Sequence, residues 1–208
     1  MFGTHNLPLF VLSGLLLNMT PGQDTFYIVG RSVAQGRRAG VLSVLGITAG
    51  CCVHTLAAAF GLSAVLATSA TAFLVVKFAG AAYLVYLGVR MLFSVPQIAA
   101  PPAELRAEPS WQIFSAGFLT NVLNPKVALF FLAFLPQFVD PSAPSKLAAF
   151  LFLGLVFMFN GTLWCLFLVW CASAVSRRFR GDRRAGAMVT RAAGVMFVGL
   201  GVKLAVGR

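Results

Sequence analysis

The stretch SGLLLNMTPGQDTFYIVG, residues 13–30, decides how this chain is organised. It begins as an apolar helix sequence, places polar residues around Pro21, adds the carboxylate of Asp24, and then returns to apolar residues. Proline cannot donate the backbone hydrogen bond of a helix interior and clashes with the preceding turn, so a helix kinks or ends there. The stretch therefore predicts an apolar helix that is interrupted next to a carboxylate.

The composition is that of an integral membrane protein. Of the 208 residues, 59% are hydrophobic and only 10% are charged, whereas a soluble domain carries roughly 25% charged residues. The apolar runs reach the length of about 20 residues that a membrane helix needs, and they lack the alternation of a barrel strand. No Lys or Arg precedes Arg31, so we do not expect the first helix to be a cleaved signal peptide. The fold class is therefore predicted to be all-α.

The basic residues predict an orientation. Six transmembrane helices are expected, over about 7–30, 39–67, 71–93, 111–139, 146–175 and 186–206. Arginines cluster in alternate loops: Arg31, Arg37 and Arg38, then Arg90 and Arg106 at the loop 94–110, then Arg177, Arg178, Arg180, Arg183 and Arg184. The positive-inside rule assigns these loops to the cytoplasm and both termini to the outside. Orientation also explains the net charge of +11, so no nucleic-acid partner is predicted.

The two halves of the chain resemble each other. Residues 13–22 align without gaps with residues 116–125, AGFLTNVLNP, which pairs Gly14 with Gly117 and Asn18 with Asn121. A second match pairs the sequences that start at Lys77 and at Arg191. Since each half holds three spans, the second half enters the membrane upside down, as in many secondary transporters. We predict one domain, 1–208, made of inverted 3+3 repeats over about 1–93 and 111–208.

Helices one and four are predicted to be broken at mid-membrane. Thr20 is the expected N-cap of a new helix, with Pro21 as its first residue and Gln23 completing a capping box. Asn124 and Pro125 offer the same order in the second half. Helix N-termini carry free N–H groups and a positive partial charge. Inverted repeats bring the two N-termini together near the midplane, where they would bind an anion.

The charges beside the breaks suit a zwitterion. Of five acids, only Asp24 falls inside a predicted span, and Lys126 follows the second break. A substrate carboxylate would bind the helix N-termini and Lys126, and its amino group would bind Asp24 and the Asn carbonyls. The alternative is an internal Asp24–Lys126 salt bridge that only joins the repeats. The predicted site consists of Asn18, Thr20, Pro21, Gly22, Gln23, Asp24, Asn121, Asn124, Pro125 and Lys126.

Other polar residues in the spans have two interpretations. His54 is either a proton relay or a hydrogen-bonded packing residue. Lys77 either serves the transport path or extends to the membrane interface, and Asn160 either lines the path or bonds a neighbouring helix. Gly46 and Gly50 favour close helix packing. The four cysteines, Cys51, Cys52, Cys165 and Cys171, form no CxxC motif and are expected to be packed residues. No metal and no cofactor are predicted.

Three motifs carry a family resemblance. They are NMTPGQD (18–24), NVLNPK (121–126) and KFAGAAYLVYLGVRML (77–92), and together they resemble the LysE/RhtB family of amino-acid exporters over nearly the whole chain. The resemblance implies a bacterial inner-membrane protein that exports homoserine, threonine, lysine, leucine or related amino acids, coupled to an ion gradient. The family motif usually reads Pro-Gly-Pro before Asn or Asp, and Gln23 replaces its second proline here.

We therefore expect a secondary active exporter of small amino acids that works by proton antiport and is not an enzyme. Its expected partners are the amino acid and membrane lipid, and a homo-oligomer is left open. The alternative within transporters is cation efflux, which would need several carboxylates or paired thiolates in the spans. An intramembrane enzyme or thiol-redox carrier would need a CxxC, a His-rich motif or an acid pair. A structural subunit would not need two broken helices beside a buried acid.

Overall fold

A computed structural model describes residues 2–62 and 109–175 continuously, together with isolated positions between 71 and 93 and between 195 and 202. Within the two continuous stretches the chain is helical, and its β-structure is limited to an isolated antiparallel bridge between Thr4 and Val139. The all-α prediction is confirmed for these residues. The predicted spans 71–93 and 186–206, the loop 94–110 and Lys77 fall largely or wholly outside them.

The helices follow the chain in a simple order. Helix α1 is Leu7–Met19, and helix α2 is Gln23–Ala57, continued by a π-helical segment, Ala58–Leu62. Helix α3 is Ser110–Val122, helix α4 is Pro125–Ala133, and a 3-10 turn follows at Leu135–Phe138. Helix α5 is Lys146–Val175, the range predicted for the fifth span.

Helix α2 reverses direction at Gly36. This residue has φ 82° and ψ −178°, a backbone conformation that essentially only glycine adopts. In a straight helix, residues eight positions apart are separated by about 12 Å along the axis. Ser32 and Gly40 are much closer than that, because a β carbon on Gly40 would collide with the hydroxyl of Ser32. The residues before and after Gly36 are therefore two antiparallel helical segments, 23–35 and 37–57, as the predicted loop after the first span requires. Arg31, predicted to lie in that loop, instead belongs to the first segment and packs over the ring of Tyr27 at 5.4 Å.

Helices α1 and α3 match in length and in their positions along the sequence repeat. Each has 13 residues, and the bounds of α3 are those of α1 displaced by 103 residues, the same displacement that aligns the two sequences. Each is followed by a short interruption and another helix, and α3 and α4 are bent by 47° across theirs. The helix ends thus fall at the residues of the two predicted breaks, while spans broken at mid-membrane and the inverted arrangement of the halves remain predictions.

Two kinds of packing hold these helices together. A phenylalanine cluster joins α1, α4 and α5, with ring centroids 4.9 Å apart between Phe130 and Phe157 and 5.2 Å apart between Phe10 and Phe138. Helices α2 and α3 instead approach through small residues. A β carbon on Gly46 would collide with the carbonyl oxygen of Phe114, so this contact excludes any side chain at Gly46.

Membrane-crossing helices are identifiable among the described residues. Gln23–Gly61 and Lys146–Ala172 are long and apolar enough to cross, and the bent pair Ser110–Val122 and Pro125–Phe138 forms a third crossing if it is one span. Because Gly36 reverses the chain, the first of these ranges is not one straight helix. The multi-pass membrane fold is supported, and the total of six crossings remains a prediction.

Candidate functional site

The interruption after α1 differs from the predicted helix start. Thr20 closes α1 as its C-cap, and its hydroxyl donates to the carbonyl of Leu16 at 2.8 Å. The N-cap of α2 is Gly22, which makes no side-chain bond, and Gln23 is the first helical residue. The predicted N-cap at Thr20, first helical position at Pro21 and capping box at Gln23 are therefore wrong. The physical reason is that a threonine hydroxyl can bond back to its own helix, four residues earlier.

The interruption after α3 follows the prediction. Asn124 is the N-cap of α4, and its Oδ1 accepts a hydrogen bond from the backbone N–H of Lys126 at 3.0 Å. Pro125 takes the first helical position, where its missing donor has no consequence. The predicted cap is confirmed at this break.

Asp24 contacts the other half of the chain. Its Oδ2 accepts a hydrogen bond of 2.8 Å from Nδ2 of Asn121, near the end of α3. The second carboxylate oxygen, Oδ1, is buried and has no partner among the described residues, and the same holds for Oδ1 of Asn121. Buried polar atoms are nearly always hydrogen-bonded. The pair therefore presents two acceptors to a ligand or water.

Lys126, in the second half of the chain, contacts the first half. Its ammonium donates to the carbonyl oxygens of Leu17 at 3.2 Å and Thr20 at 3.0 Å. These carbonyls belong to the end of α1, where the helix dipole favours a cation. Asp24 and Lys126 therefore have different partners, and no ion pair within 4.0 Å joins them. The salt bridge weighed as the structural alternative is not present.

A cavity of ≈ 40 Å³ lies between these groups. Hydrogen-bonding side chains cover part of its wall: Asn18, Asp24, Thr25, Thr48, Asn121, Lys126 and Thr162. The rest of the wall consists of Leu17, Ile47, Cys51, Val127, Phe157, Met158, Gly161 and Cys165. Thr48 and Thr162 join α2 to α5 across it through hydroxyls 3.0 Å apart. The cavity thus has a polar and an apolar part, with Asp24 and Lys126 as its charged residues.

Asn18 completes the polar part. Its Nδ2 is buried and without a partner among the described residues, and a β carbon on Gly161 would lie 3.2 Å from it. The cavity therefore presents an amide donor as well as the acceptors of Asp24 and Asn121. Lys126 adds to this donor side, since an ammonium has three N–H groups and two of them are used by carbonyls.

The remaining predicted residues lie away from the cavity wall. Pro21 and Gln23 are exposed, and Gly22 packs beside the Lys126 side chain, with its β position 3.1 Å from Nζ. Asn160 lines a separate groove between α1 and α5, together with Trp164. His54 bonds the carbonyl of Asn121 at 3.0 Å and does not line the cavity.

Sequence reasoning missed the contribution of α5. Phe157, Gly161 and Cys165 are spaced four residues apart and therefore share a helix face, and all three line the cavity. Cys51 and Cys165, predicted to be simple packing residues, also belong to the wall. Among the described residues, no three His, Cys, Asp or Glu side chains form a group that would hold a metal ion.

Comparisons with known proteins identify the family. A profile of the LysE type translocator family matches residues 15–208. The chain belongs to the LysE family.

A leucine efflux protein of Klebsiella pneumoniae is 28% identical over 98% of this chain and 96% of its own length. A leucine efflux protein of Enterobacter is 28% identical over 98% and 97%. An uncharacterized membrane protein of Pseudomonas aeruginosa is 32% identical over 94% and 93%. No solved structure matches. At the family level, this LysE-family chain is a membrane translocator and not an enzyme.

Proposed function

We propose that this LysE-family protein exports neutral amino acids from a bacterial cytoplasm in exchange for protons. One observation carries the proposal: Asp24, whose Oδ1 is buried without a partner among the described residues, lines the same cavity as Asn18 and Lys126. A buried carboxylate opposite an ammonium and an amide matches the charges of an α-amino acid. The leucine efflux relatives support the same class of substrate.

Each end of the zwitterion finds complementary groups. The substrate α-ammonium binds Oδ1 of Asp24 and Oδ1 of Asn121, which are acceptors without partners. The substrate carboxylate binds Nδ2 of Asn18 and the ammonium of Lys126. Charge-assisted hydrogen bonds are about twice as strong as neutral ones, so the zwitterion is favoured over an amine or an acid that has only one of its charges.

The apolar wall suits an uncharged side chain. Beyond Asp24 and Lys126 the cavity offers Ile47, Cys51, Phe157 and neighbouring apolar residues. A substrate with an additional charge would bury it without a partner, which costs several kcal/mol. Leucine, methionine and similar amino acids are therefore favoured over lysine or glutamate.

Proton coupling follows from the chemistry of Asp24. The carboxylate neutralises its charge either by binding a proton or by binding the substrate ammonium, and it cannot do both. Because Asp24 can bind only one of them at a time, the protein exchanges a proton for an amino acid across the membrane. Cation efflux is the alternative, but a cation site needs several carboxylates or thiolates, whereas the cavity wall carries a single carboxylate.

The small cavity indicates that the walls move during transport. Its ≈ 40 Å³ holds about three waters, since one water needs roughly 10–15 Å³. Leucine is larger than that, so α2 and α5 have to separate to admit it. Alternating exposure of a fixed central site is the usual mechanism of transporters built from repeats.

Uptake into inside-out vesicles tests the proposal. The vesicles carry an acidic interior, and radiolabelled leucine, threonine and lysine are offered one at a time. We expect gradient-dependent accumulation of leucine, at a higher rate than lysine, and its loss in Asp24→Asn at normal abundance.

The matched control is Asp140→Asn, because Asp140 is an acid outside the helices. Hydrogen bonds from the Ser142 hydroxyl and then from its backbone N–H lower the pKa of Asp140, so this carboxylate has its own partners. The control should accumulate leucine as the wild type does. Wild-type export from Asp24→Asn, or the absence of amino-acid accumulation in the wild type, would contradict the proposed function.

A further inference from the structure

His54 holds the end of the helix that carries Asn121. Its Nε2 lies 3.0 Å from the backbone oxygen of Asn121, and since a carbonyl only accepts, Nε2 carries the donated proton. The imidazole packs against the ring of Phe131, with centroids 5.9 Å apart. The ring thus has a fixed position and a fixed partner.

The carbonyl that His54 bonds lies at the end of a helix, where backbone oxygens lack a donor within the helix. The last carbonyls of an α-helix have no intrahelical donor, and α3 ends at Val122. The backbone oxygen of Asn121 accepts from the N–H of Asn124 at 2.9 Å and from His54. The imidazole therefore ties the end of α3 to helix α2.

Gly50 fixes the same residue from one turn earlier on α2. A β carbon there would lie 2.9 Å from Cβ and 3.0 Å from Oδ1 of Asn121, so the backbone of α2 is in close contact with the asparagine. Asn121 is 2% exposed. Gly50 and His54, four residues apart on one face of α2, thus both contact Asn121.

Asn121 in turn orients the binding carboxylate. Its Nδ2 donates to Oδ2 of Asp24 at 2.8 Å, and this bond determines where Oδ1 of Asp24 points. We propose that His54 is a positioning residue for the substrate-binding carboxylate, acting on Asp24 through Asn121, and does not relay protons. The inference rests on the proposed amino-acid export. It agrees with the position of His54 outside the cavity wall.

Two substitutions separate positioning from proton relay. His54→Gln keeps an N–H donor for the Asn121 carbonyl but cannot titrate, and His54→Leu removes both properties. A hydrogen bond contributes about 1 kcal/mol, so we expect His54→Leu to raise the KM for leucine roughly fivefold. His54→Gln should stay within about twofold of wild type. His5→Leu, at the other histidine, which bonds Asn6 near the N-terminus, is the matched control and should change nothing.

A second readout does not depend on transport. A hydrophobic carbodiimide labels buried carboxyl groups, and the labelled peptides that contain Asp24 and Asp140 can be quantified by mass spectrometry in purified protein. His54→Leu should change the labelling rate of Asp24 several-fold, while His54→Gln leaves it unchanged and Asp140 serves as the internal reference.

The outcomes are distinct. Loss of export in both His54 variants with unchanged Asp24 labelling would establish a relay and overturn positioning. Wild-type KM and labelling in His54→Leu would also overturn it. If the wild type exports no amino acid, the proposed function fails, and the labelling result still decides whether His54 positions Asp24.

Discussion

The ammonium of Lys126 donates a hydrogen bond of 3.0 Å to the carbonyl oxygen of Thr20, the C-cap of helix α1. Lys126 belongs to the second half of the chain and Thr20 to the first. The contact therefore joins the two interruptions and places a positive charge at the negative end of the α1 dipole. Under the proposed function, a substrate carboxylate competes with these carbonyls for the same ammonium, so breaking this contact would accompany substrate binding.

The first prediction concerns this lysine. Lys126→Met leaves the carbonyls of Leu17 and Thr20 without the ammonium and removes a carboxylate ligand, so leucine export should fall at least about tenfold. Combining it with Asp24→Asn should not restore export, because the two charges are not paired with each other. Vesicle uptake and protein abundance are measured together. Lys146→Met, at the first residue of α5, is the control, and near-wild-type export from the double variant would refute the assignment.

The second prediction concerns the reversal in α2. Gly36→Ala introduces a side chain at φ 82° and should destabilise the protein by about 1–3 kcal/mol. Gly30→Ala is the matched control because nothing lies within 4 Å of its β position, and helix propensity should make it stabilising by up to about 1 kcal/mol. Unfolding in detergent compares the two. Equal stabilities would argue against the turn at Gly36.

The third prediction concerns movement of the cavity walls. In a chain whose native cysteines are replaced by alanine, Thr48→Cys combined with Thr162→Cys should form a disulfide on oxidation, because the native hydroxyls are 3.0 Å apart and disulfides need close side chains. The bond should stop leucine export, and a reductant should restore it. Each single variant controls for oxidation. Full export by the cross-linked protein would show that α2 and α5 need not separate there.

The fourth prediction concerns orientation in the membrane. A reporter fused after Arg208 should be active only if it functions outside the cytoplasm, whereas one inserted within 177–184 should function in the cytoplasm, because the arginine-rich loops are retained there. Paired periplasmic and cytoplasmic reporters at each position provide the control. A cytoplasmic C-terminus would overturn the predicted six-span inverted topology.

The parts of the fold that depend on local signals were predictable. Pro125 after Asn124 marks a helix start through steric and hydrogen-bonding rules that act within a few residues, and the structure has that start. The 30 residues of α5, most of them apolar, likewise mark a membrane helix by length and composition. The predicted N-cap at Thr20 is wrong because the same hydroxyl can cap a following helix or bond the preceding turn, and local sequence does not choose between them.

The walls of the site were less predictable. Phe157, Gly161 and Cys165 lie on a helix that is apolar on every side, so no periodicity reveals which face meets the cavity. The partner of Lys126 also depends on contacts between residues about a hundred positions apart. The free-energy cost of burying a charge in a membrane span identifies Asp24 from the sequence alone. A carboxylate in an apolar span needs a partner wherever the neighbouring helices lie.

Helices α1 and α3 have the same length and the same displacement as the sequence repeat, yet an acid follows the first and a base follows the second. Two copies of a single half, assembled as a homodimer, would offer two acids or two bases at their shared centre. When the two halves are joined in one chain, their sequences can differ at individual positions. The asymmetry between Asp24 and Lys126 is therefore one that a homodimer of identical halves cannot provide, and under the proposed function it gives the cavity a direction that matches the dipole of an amino acid.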